Sequence, residues 1–240
     1  MYTIPTQVTS LSFDIWKTLL GGNKAFTRMR LRLIFEELDL PDVDIEHVVE
    51  AYKRADKFFN NEAEHTMTDY GMGERLQMMF ATLGIDRPIP DVSTIAAIQA
   101  KIGVLRCQPE YLPPLLESDL LQTLGKLKDQ GLVLGLLSNT GMDDIQVMEP
   151  VLKKLGIWDL FQVRIFSSED GRAKPNPSLF LRMARELKAA PHQVLHIGDN
   201  TNADYRAIKA GLHAVVYAPE GSSYPHITSM SQLLKKELTR

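Results

Sequence analysis

The chain is poor in several of the features that narrow a function quickly. It has one cysteine, Cys107, in 240 residues, so no intramolecular disulfide can form, which fits a reducing compartment. No histidine or cation motif accompanies Cys107, and it reads as a small semi-buried hydrophobe rather than a nucleophile. No apolar run approaches the roughly 20 residues that span a bilayer. Met1 to Ser10 lacks the basic and then apolar regions of a signal peptide. A cytoplasmic protein with no membrane partner is the expectation. Charge of one sign is also lacking: 27 basic and 30 acidic residues are interspersed, for a net charge of -3. Nothing in that balance suggests nucleic-acid binding, and small molecules are the expected partners of a monomer or homodimer. There is no internal repeat and no low-complexity tract.

What is present is an ordinary globular composition, 44% hydrophobic and 24% charged, in a chain long enough for one large domain carrying a smaller one. The stretch Leu11-Ser12-Phe13-Asp14-Ile15-Trp16-Lys17-Thr18 reads as a short strand ending on a carboxylate. After the break at Gly21-Gly22-Asn23, four segments show helical spacing of apolar residues: Ala25 to Leu40, Asp44 to Phe59, Gly73 to Leu83 and Val92 to Val104. From Tyr111 the texture changes. Helices at Leu116 to Gln130, Asp143 to Leu155, Ser178 to Leu187, Asp204 to Ala210 and around Ser229 to Glu237 alternate with strands at 132–137, 161–166, 193–197 and 213–217. Such alternation predicts an α/β fold with a doubly wound parallel sheet. The first strand belongs with it, so residues 1–20 and 110–240 form the α/β core and residues 21–109 an inserted helical domain.

Four strand ends carry the chemistry, where ligands of open α/β sheets bind. The first ends at Asp14, and the second at Ser138-Asn139-Thr140-Gly141, which offers a hydroxyl and backbone N–H groups at a turn into a helix. The third leads to Lys174-Pro175-Asn176-Pro177, where Pro175 stiffens the connection and Asn176 and Pro177 suit the N-cap and first position of a helix. The fourth ends at Gly198-Asp199, followed by Asp204; the glycine permits close backbone approach beside an acidic group. Singly each is weak, but all four in this order are hard to attribute to chance.

The set resembles the haloacid dehalogenase superfamily of aspartate-nucleophile hydrolases, with Asp14 and Thr18, Ser138, Lys174, and Asp199 with Asp204 matching its four motifs in order. The insertion is similar to that family's C1-type α-helical cap. The resemblance implies a Rossmann-type core and an Asp14 nucleophile. It also implies Mg²⁺ held by Asp14, Asp199 and the backbone carbonyl of Trp16. Lys174 would bridge nucleophile and phosphoryl oxygens, Ser138 and the N–H of Asn139 or Thr140 would bind the phosphoryl group, and Asp204 would orient Lys174 or a water. A small phosphate monoester is the implied substrate.

One position departs from the family's phosphatases, which carry a general-acid aspartate two residues after the nucleophile. Here it is Trp16, whose indole N–H has no useful acid-base chemistry. Lys17, His65 and Glu169 are candidate substitutes. An aromatic residue at that position is typical of haloacid dehalogenases, which makes halide displacement the alternative, although Gly198-Asp199 stands where dehalogenases have Ser and Asn. A phosphate-binding or regulatory module is a third reading. Within the insertion, Tyr70, in the glycine-containing stretch 66–74, is a candidate substrate contact. Arg28, Arg30 and Arg32 read as a solvated helix face, with Arg28 kept as a candidate contact. His196 and Trp158 read as packing residues.

Overall fold

The computed structural model describes residues 3–169 and 171–234. Strands β1 (Ser10–Phe13), β2 (Val133–Ser138), β3 (Val163–Phe166), β4 (Val194–Gly198), β5 (His213–Tyr217) and β6 (His226–Ile227) form one parallel sheet in the order β3-β2-β1-β4-β5-β6. Helices α1 (Lys24–Glu37), α2 (Ile45–Thr66), α3 (Met72–Leu83) and α4 (Val92–Arg106) follow β1. Helix α5 (Leu120–Asp129) precedes β2, α6 (Ile145–Lys154) lies between β2 and β3, and α7 (Pro177–Glu186) precedes β4. The sheet is the doubly wound α/β arrangement expected. Because the chain goes from β1 outward to β2 and β3 and then returns to β4 on the other side, β1 sits at the reversal of strand order, where a crevice opens at the carboxyl ends.

The strands alternate their side chains between two layers, as the two-residue period requires. Leu11, Phe13, Leu134, Leu136, Leu195 and Ile197 enter one apolar cluster with α5, while Leu137, Ile165 and Val194 enter another with Leu179, Phe180 and Met183 of α7. On that second face the register lines up Gly135, Ser12 and His196. Gly135 is small because Met183 fills its space: a Cβ there would lie 2.5 Å from the sulfur. Ser12 and His196 are fully buried and satisfy one another. A polar row therefore runs through an otherwise apolar layer toward the strand ends.

Helices α1 to α4 bury their own cluster, including Phe26, Leu31, Ile34, Val48, Met79 and Ile102, joined by Met142 and Val147 from the region of α6. Several bounds differ from the sequence expectation. Helix α2 continues to Thr66, seven residues past Phe59, and stops only where Met67 adopts a left-handed cap at φ 59°. The expected helix over 204–210 is a 3-10 segment at Tyr205–Ala210, ended by Gly211 at φ 83°. Near the end of the chain, where a helix is expected around 229–237, Met230–Leu233 is 3-10 between extended Ser229 and Leu234, and positions 235–237 lie outside the described residues. The two-residue β6 carried no apolar alternation by which to find it. Among the described residues no helix is long and apolar enough to cross a membrane.

Candidate active site

Asp14 directly follows β1, and its N–H donates to the Ile197 carbonyl at 2.9 Å. This fixes the residue level with the ends of the central strands. The next turn is tight: Leu19 and Leu20 both donate to the Ile15 carbonyl, and Lys17 takes a left-handed φ of 59°. That turn returns Thr18 to Asp14, to whose Oδ2 its hydroxyl donates at 3.3 Å.

Lys174 arrives from 160 positions away and donates from Nζ to Asp14 Oδ1 at 2.7 Å and to Asp204 Oδ1 at 2.5 Å. All three side chains are buried. The connection holding the lysine is as stiff as expected, since Asn176 caps α7 through the Ser178 N–H and Pro177 opens the helix. Asn139 does something the sequence did not reveal. Its side-chain amide donates to the Lys174 carbonyl at 3.1 Å and its Oδ1 accepts the Lys174 N–H at 2.8 Å, clamping the lysine's backbone to the end of β2.

Asp204 is held from three sides. It accepts from Lys174, from the Asn200 N–H at 3.0 Å and from His196 Nε2 at 3.1 Å. Burial pushes the His196 imidazole below its ordinary pKa, outweighing the carboxylate's pull. The neutral ring then carries its proton on Nε2, donates to Asp204 and accepts from the Ser12 hydroxyl at Nδ1. His196 is thus a core histidine, as expected, and also a support for Asp204. Burial works against the charge on Asp204, but Lys174 and His196 more than offset it and hold that carboxyl well below the usual range.

One ammonium between two buried carboxylates leaves one negative charge unmatched. Burial raises the Asp14 carboxyl to about 7 against the pull of Lys174, with Asp204 and Asp199 adding repulsion. Burial and Asp204 likewise raise Asp199 to about 6, opposed by Lys17 and Lys174. One carboxylate oxygen from each of Asp14, Asp199 and Asp204 lies within 4.8 Å of the others. Hard oxygen donors crowded at this spacing, with their charge uncompensated, suit a divalent cation.

Close approach is essential at Gly198. A Cβ there would fall 2.2 Å from Asp204 Cγ, and the Asp204 side chain cannot yield without losing its three partners. Gly198→Ala is therefore expected to destabilise the fold by about 1–3 kcal/mol, read as a lower urea midpoint, whereas Gly135→Ala, whose close contact is with the flexible Met183 side chain, costs less.

Above this cluster lies a cavity of about 360 Å³ lined by Asp14, Trp16, Lys17, Asn139 and Asp199, and across from them by residues of α1 to α4. Its size is in the small-molecule range. Thr18, Ser138, Lys174 and Asp204 lie beneath that surface. Among the described residues the Ser138 hydroxyl, at the end of β2, has only a 3.4 Å contact to the Asn139 carbonyl, which leaves it weakly engaged. Tyr70 lines the cavity, stacked near Phe59 with ring centroids 5.0 Å apart. Arg28 does not; it pairs with Glu46 at the surface at 2.8 Å, 44% exposed. Of the candidate proton donors only Lys17 lines the cavity. His65 is exposed and contacts the Asn61 carbonyl, and Glu169 caps the Phe166 N–H.

Sequence reasoning missed most of the opposite wall. Tyr52, Asp56, Asn60, Ala63 and Glu64 of α2 line the cavity, and their spacing of three or four residues is the signal that, followed past Phe59, would have found them. Glu64 accepts from Asn200 at 2.7 Å and Asp69 from Ser167 at 2.6 Å, so α2 and the segment after it are tied to the strand ends. Arg30 is a correction: far from being solvated, it is buried beside Asp143, because it shares a face of α1 with Phe26 and Ile34.

A model of haloacid dehalogenase-like hydrolases matches residues 10–211. The chain belongs to that family. Among relatives of the hydrolase, glyceraldehyde 3-phosphate phosphatase of Methanopyrus kandleri is 29% identical over 217 residues, 87% of this chain and 83% of that one. Phosphoglycolate phosphatase of Escherichia coli is 34% identical over 110 residues, 46% of this chain and 42% of that relative. In structure, this haloacid dehalogenase-like hydrolase is similar to a 2-haloacid dehalogenase from Pseudomonas syringae, with a TM-score of 0.64 at 21% identity over 94% of this chain and 96% of the other.

Proposed function

We propose that the chain is a Mg²⁺-dependent phosphatase of small phosphate monoesters, with Asp14 as nucleophile. The observation that carries the reading is the excess of negative charge of Asp14, Asp199 and Asp204 over Lys174 and Lys17 at the mouth of a small cavity. Asp14, Asp199 and the Trp16 carbonyl would hold the cation, and the phosphatase relatives point the same way. When bound, the cation supplies positive charge to offset repulsion between the nucleophile and the phosphoryl oxygens.

The chain's own residues account for the rest. Lys174 and Thr18 fix the Asp14 carboxylate, so its free lone pair is presented without reorganisation. A bond forms from an Asp14 oxygen to phosphorus as the ester P–O bond breaks, and the departing oxygen takes a proton. Water then attacks phosphorus, releasing phosphate and regenerating Asp14. The Ser138 hydroxyl and the Asn139 N–H donate to the phosphoryl oxygens, whereas the Thr140 N–H is taken up by the Ser167 hydroxyl at 2.9 Å. With Trp16 where a carboxyl acid would stand, the leaving-group proton comes from solvent, so aryl phosphates, which need none, turn over faster than alkyl phosphates. Halide displacement is the second reading, favoured by Trp16 alone.

The test pairs activity with stability. Phosphate release from p-nitrophenyl phosphate is expected with Mg²⁺ and lost with chelator, while metal-independent halide release from 2-chloropropionate would overturn the phosphatase. In calorimetry the sign follows from the raised carboxyls. Groups with a higher pKa folded than unfolded favour the fold below the unfolded value, and that contribution is lost as pH rises through about 6 to 7. Metal-free protein therefore loses Tm between about pH 5 and pH 8. Mg²⁺ at 100 times its dissociation constant adds about 2.7 kcal/mol and raises Tm more at the higher pH. An equal rise at both values would remove the cation from these carboxylates.

A further inference from the structure

Across the cavity from the nucleophile, two buried arginines share one carboxylate. Arg30 of α1 and Arg106, the last residue of α4, are each 4% exposed, and Asp143, just before α6, is 5% exposed. Arg30 takes the better share, with Nη1 donating to Asp143 Oδ1 at 2.7 Å. Arg106 Nη1 stands 3.6 Å from Asp143 Oδ2, beyond hydrogen-bond reach, and its Nε is buried with no partner. Among the described residues Arg106 donates no hydrogen bond.

What surrounds it is aromatic. The Arg106 guanidinium carbon lies 3.9 Å from the centroid of Phe26 and 4.9 Å from that of Trp16. These rings attract a cation but offer no acceptor strong enough for its five N–H donors. Burial pulls the Arg106 guanidinium down to about 10, with Arg30 adding to the effect against Asp143; it remains a cation at neutral pH. Asp143 neutralises one guanidinium of two, leaving one positive charge with unfilled donors where the guanidinium borders the cavity. A buried charge left so is costly unless something completes it.

Asp14, Trp16, Arg106 and Arg30 all line the same cavity. Trp16 connects the two ends of the argument, being two residues from the nucleophile and in contact with Arg106. A group attached to a phosphate on Asp14 thus has the tryptophan and then the guanidinium on its way into the cavity.

We propose that Arg106, stacked on Trp16 and Phe26, binds a carboxylate on the leaving-group portion of the substrate, making short phosphorylated carboxylic acids the preferred substrates. A carboxylate brings the single negative charge that is missing and accepts from a guanidinium through two oxygens. The inference rests on the phosphatase reading and specifies its substrate class. It also gives the replacement of the acid by tryptophan a use: the position supports the substrate reader instead of moving a proton.

The experiment compares 3-phosphoglycerate with glyceraldehyde 3-phosphate, three-carbon esters that differ as carboxylate and aldehyde, with p-nitrophenyl phosphate as a reference lacking either group. A charged hydrogen-bonded contact corresponds to a kcat/KM preference for the acid on the order of 10- to 100-fold. Arg106→Met leaves the Arg30 and Asp143 pair intact, and should bring that ratio toward one chiefly through a higher KM for the acid. Arg106→Lys, which keeps the charge, should recover part of the preference. Wild-type enzyme that releases phosphate from all three esters but shows a ratio near one overturns the carboxylate site whether or not the variants fold, and leaves the phosphatase standing. A ratio unchanged in folded Arg106→Met overturns it too, as does a faster turnover of fructose 1,6-bisphosphate than of the acid, which would give the guanidinium to a second phosphate. No phosphate from any ester, including p-nitrophenyl phosphate, overturns the phosphatase reading itself.

Discussion

Asp14→Asn is expected to reduce phosphate release by about 10⁴- to 10⁶-fold, the scale on which enzymes lose turnover with their nucleophile, while leaving the protein folded. The carboxamide has the shape of the carboxyl and an oxygen able to accept from Lys174 Nζ, now 2.7 Å from Asp14 Oδ1. It also removes the negative charge that the cluster leaves unmatched. Burial already drives Asp14 toward its neutral form, with Asp204 and Asp199 repelling its charge, so an uncharged group there relieves strain instead of creating it. Metal-free Asp14→Asn should melt no lower than wild type at about pH 8, above the raised carboxyl pKa. Loss of activity with retained or increased Tm separates the role of nucleophile from that of structural support. Full turnover in this variant would end the aspartate mechanism for phosphoryl transfer and halide displacement alike.

The strand-end half of this site was legible because each element carries a local constraint. The apolar run into Asp14 is a buried parallel strand, and the prolines around Lys174 restrict the backbone whatever the rest of the chain does. Gly198 could be seen as a place of close approach, although only the structure shows that the approaching group is Asp204, with a Cβ position 2.2 Å from its Cγ. Residue functions that depend on distant partners were not readable. Asn139 looked like part of an anion-binding turn, and its side chain is spent on the backbone of a residue 35 positions away. Glu64 and Asn200 are 136 apart, and Arg30 and Asp143 are 113 apart. The arginines show the limit most plainly. Arg28 and Arg30 are two residues apart on one helix, yet one pairs at the surface and the other is buried, and α1 has too weak an apolar pattern to say which way it faces. For α2 the apolar spacing located the helix but not its end, which lies at Thr66, where Glu64 is tied to Asn200 at the strand ends.

Lys174→Met should have the largest effect on stability, because it removes the cation that the buried carboxylates of Asp14 and Asp204 share. Its Nζ lies 2.7 Å from Asp14 and 2.5 Å from Asp204, and methionine nearly fills the same volume, so loss of packing contributes little. Breaking a buried pair by deleting one partner costs about 3–5 kcal/mol, here measured as a fall in urea unfolding free energy at about pH 8. Two outcomes tie that cost to charge. Acidification should recover part of it, since protonating one carboxyl removes the repulsion that the lysine had screened; wild type lacks such a large recovery because Lys174 keeps Asp204 ionised and well below the usual range. Mg²⁺ should also recover part, by placing charge beside Asp14 and Asp199, yet without restoring turnover, since the cation cannot stand in for the ammonium that fixes the nucleophile. A loss under about 1 kcal/mol, typical of exposed pairs, would mean that water reaches these carboxylates freely, and the electrostatic basis for both the raised Asp14 pKa and the cation site would fall with it.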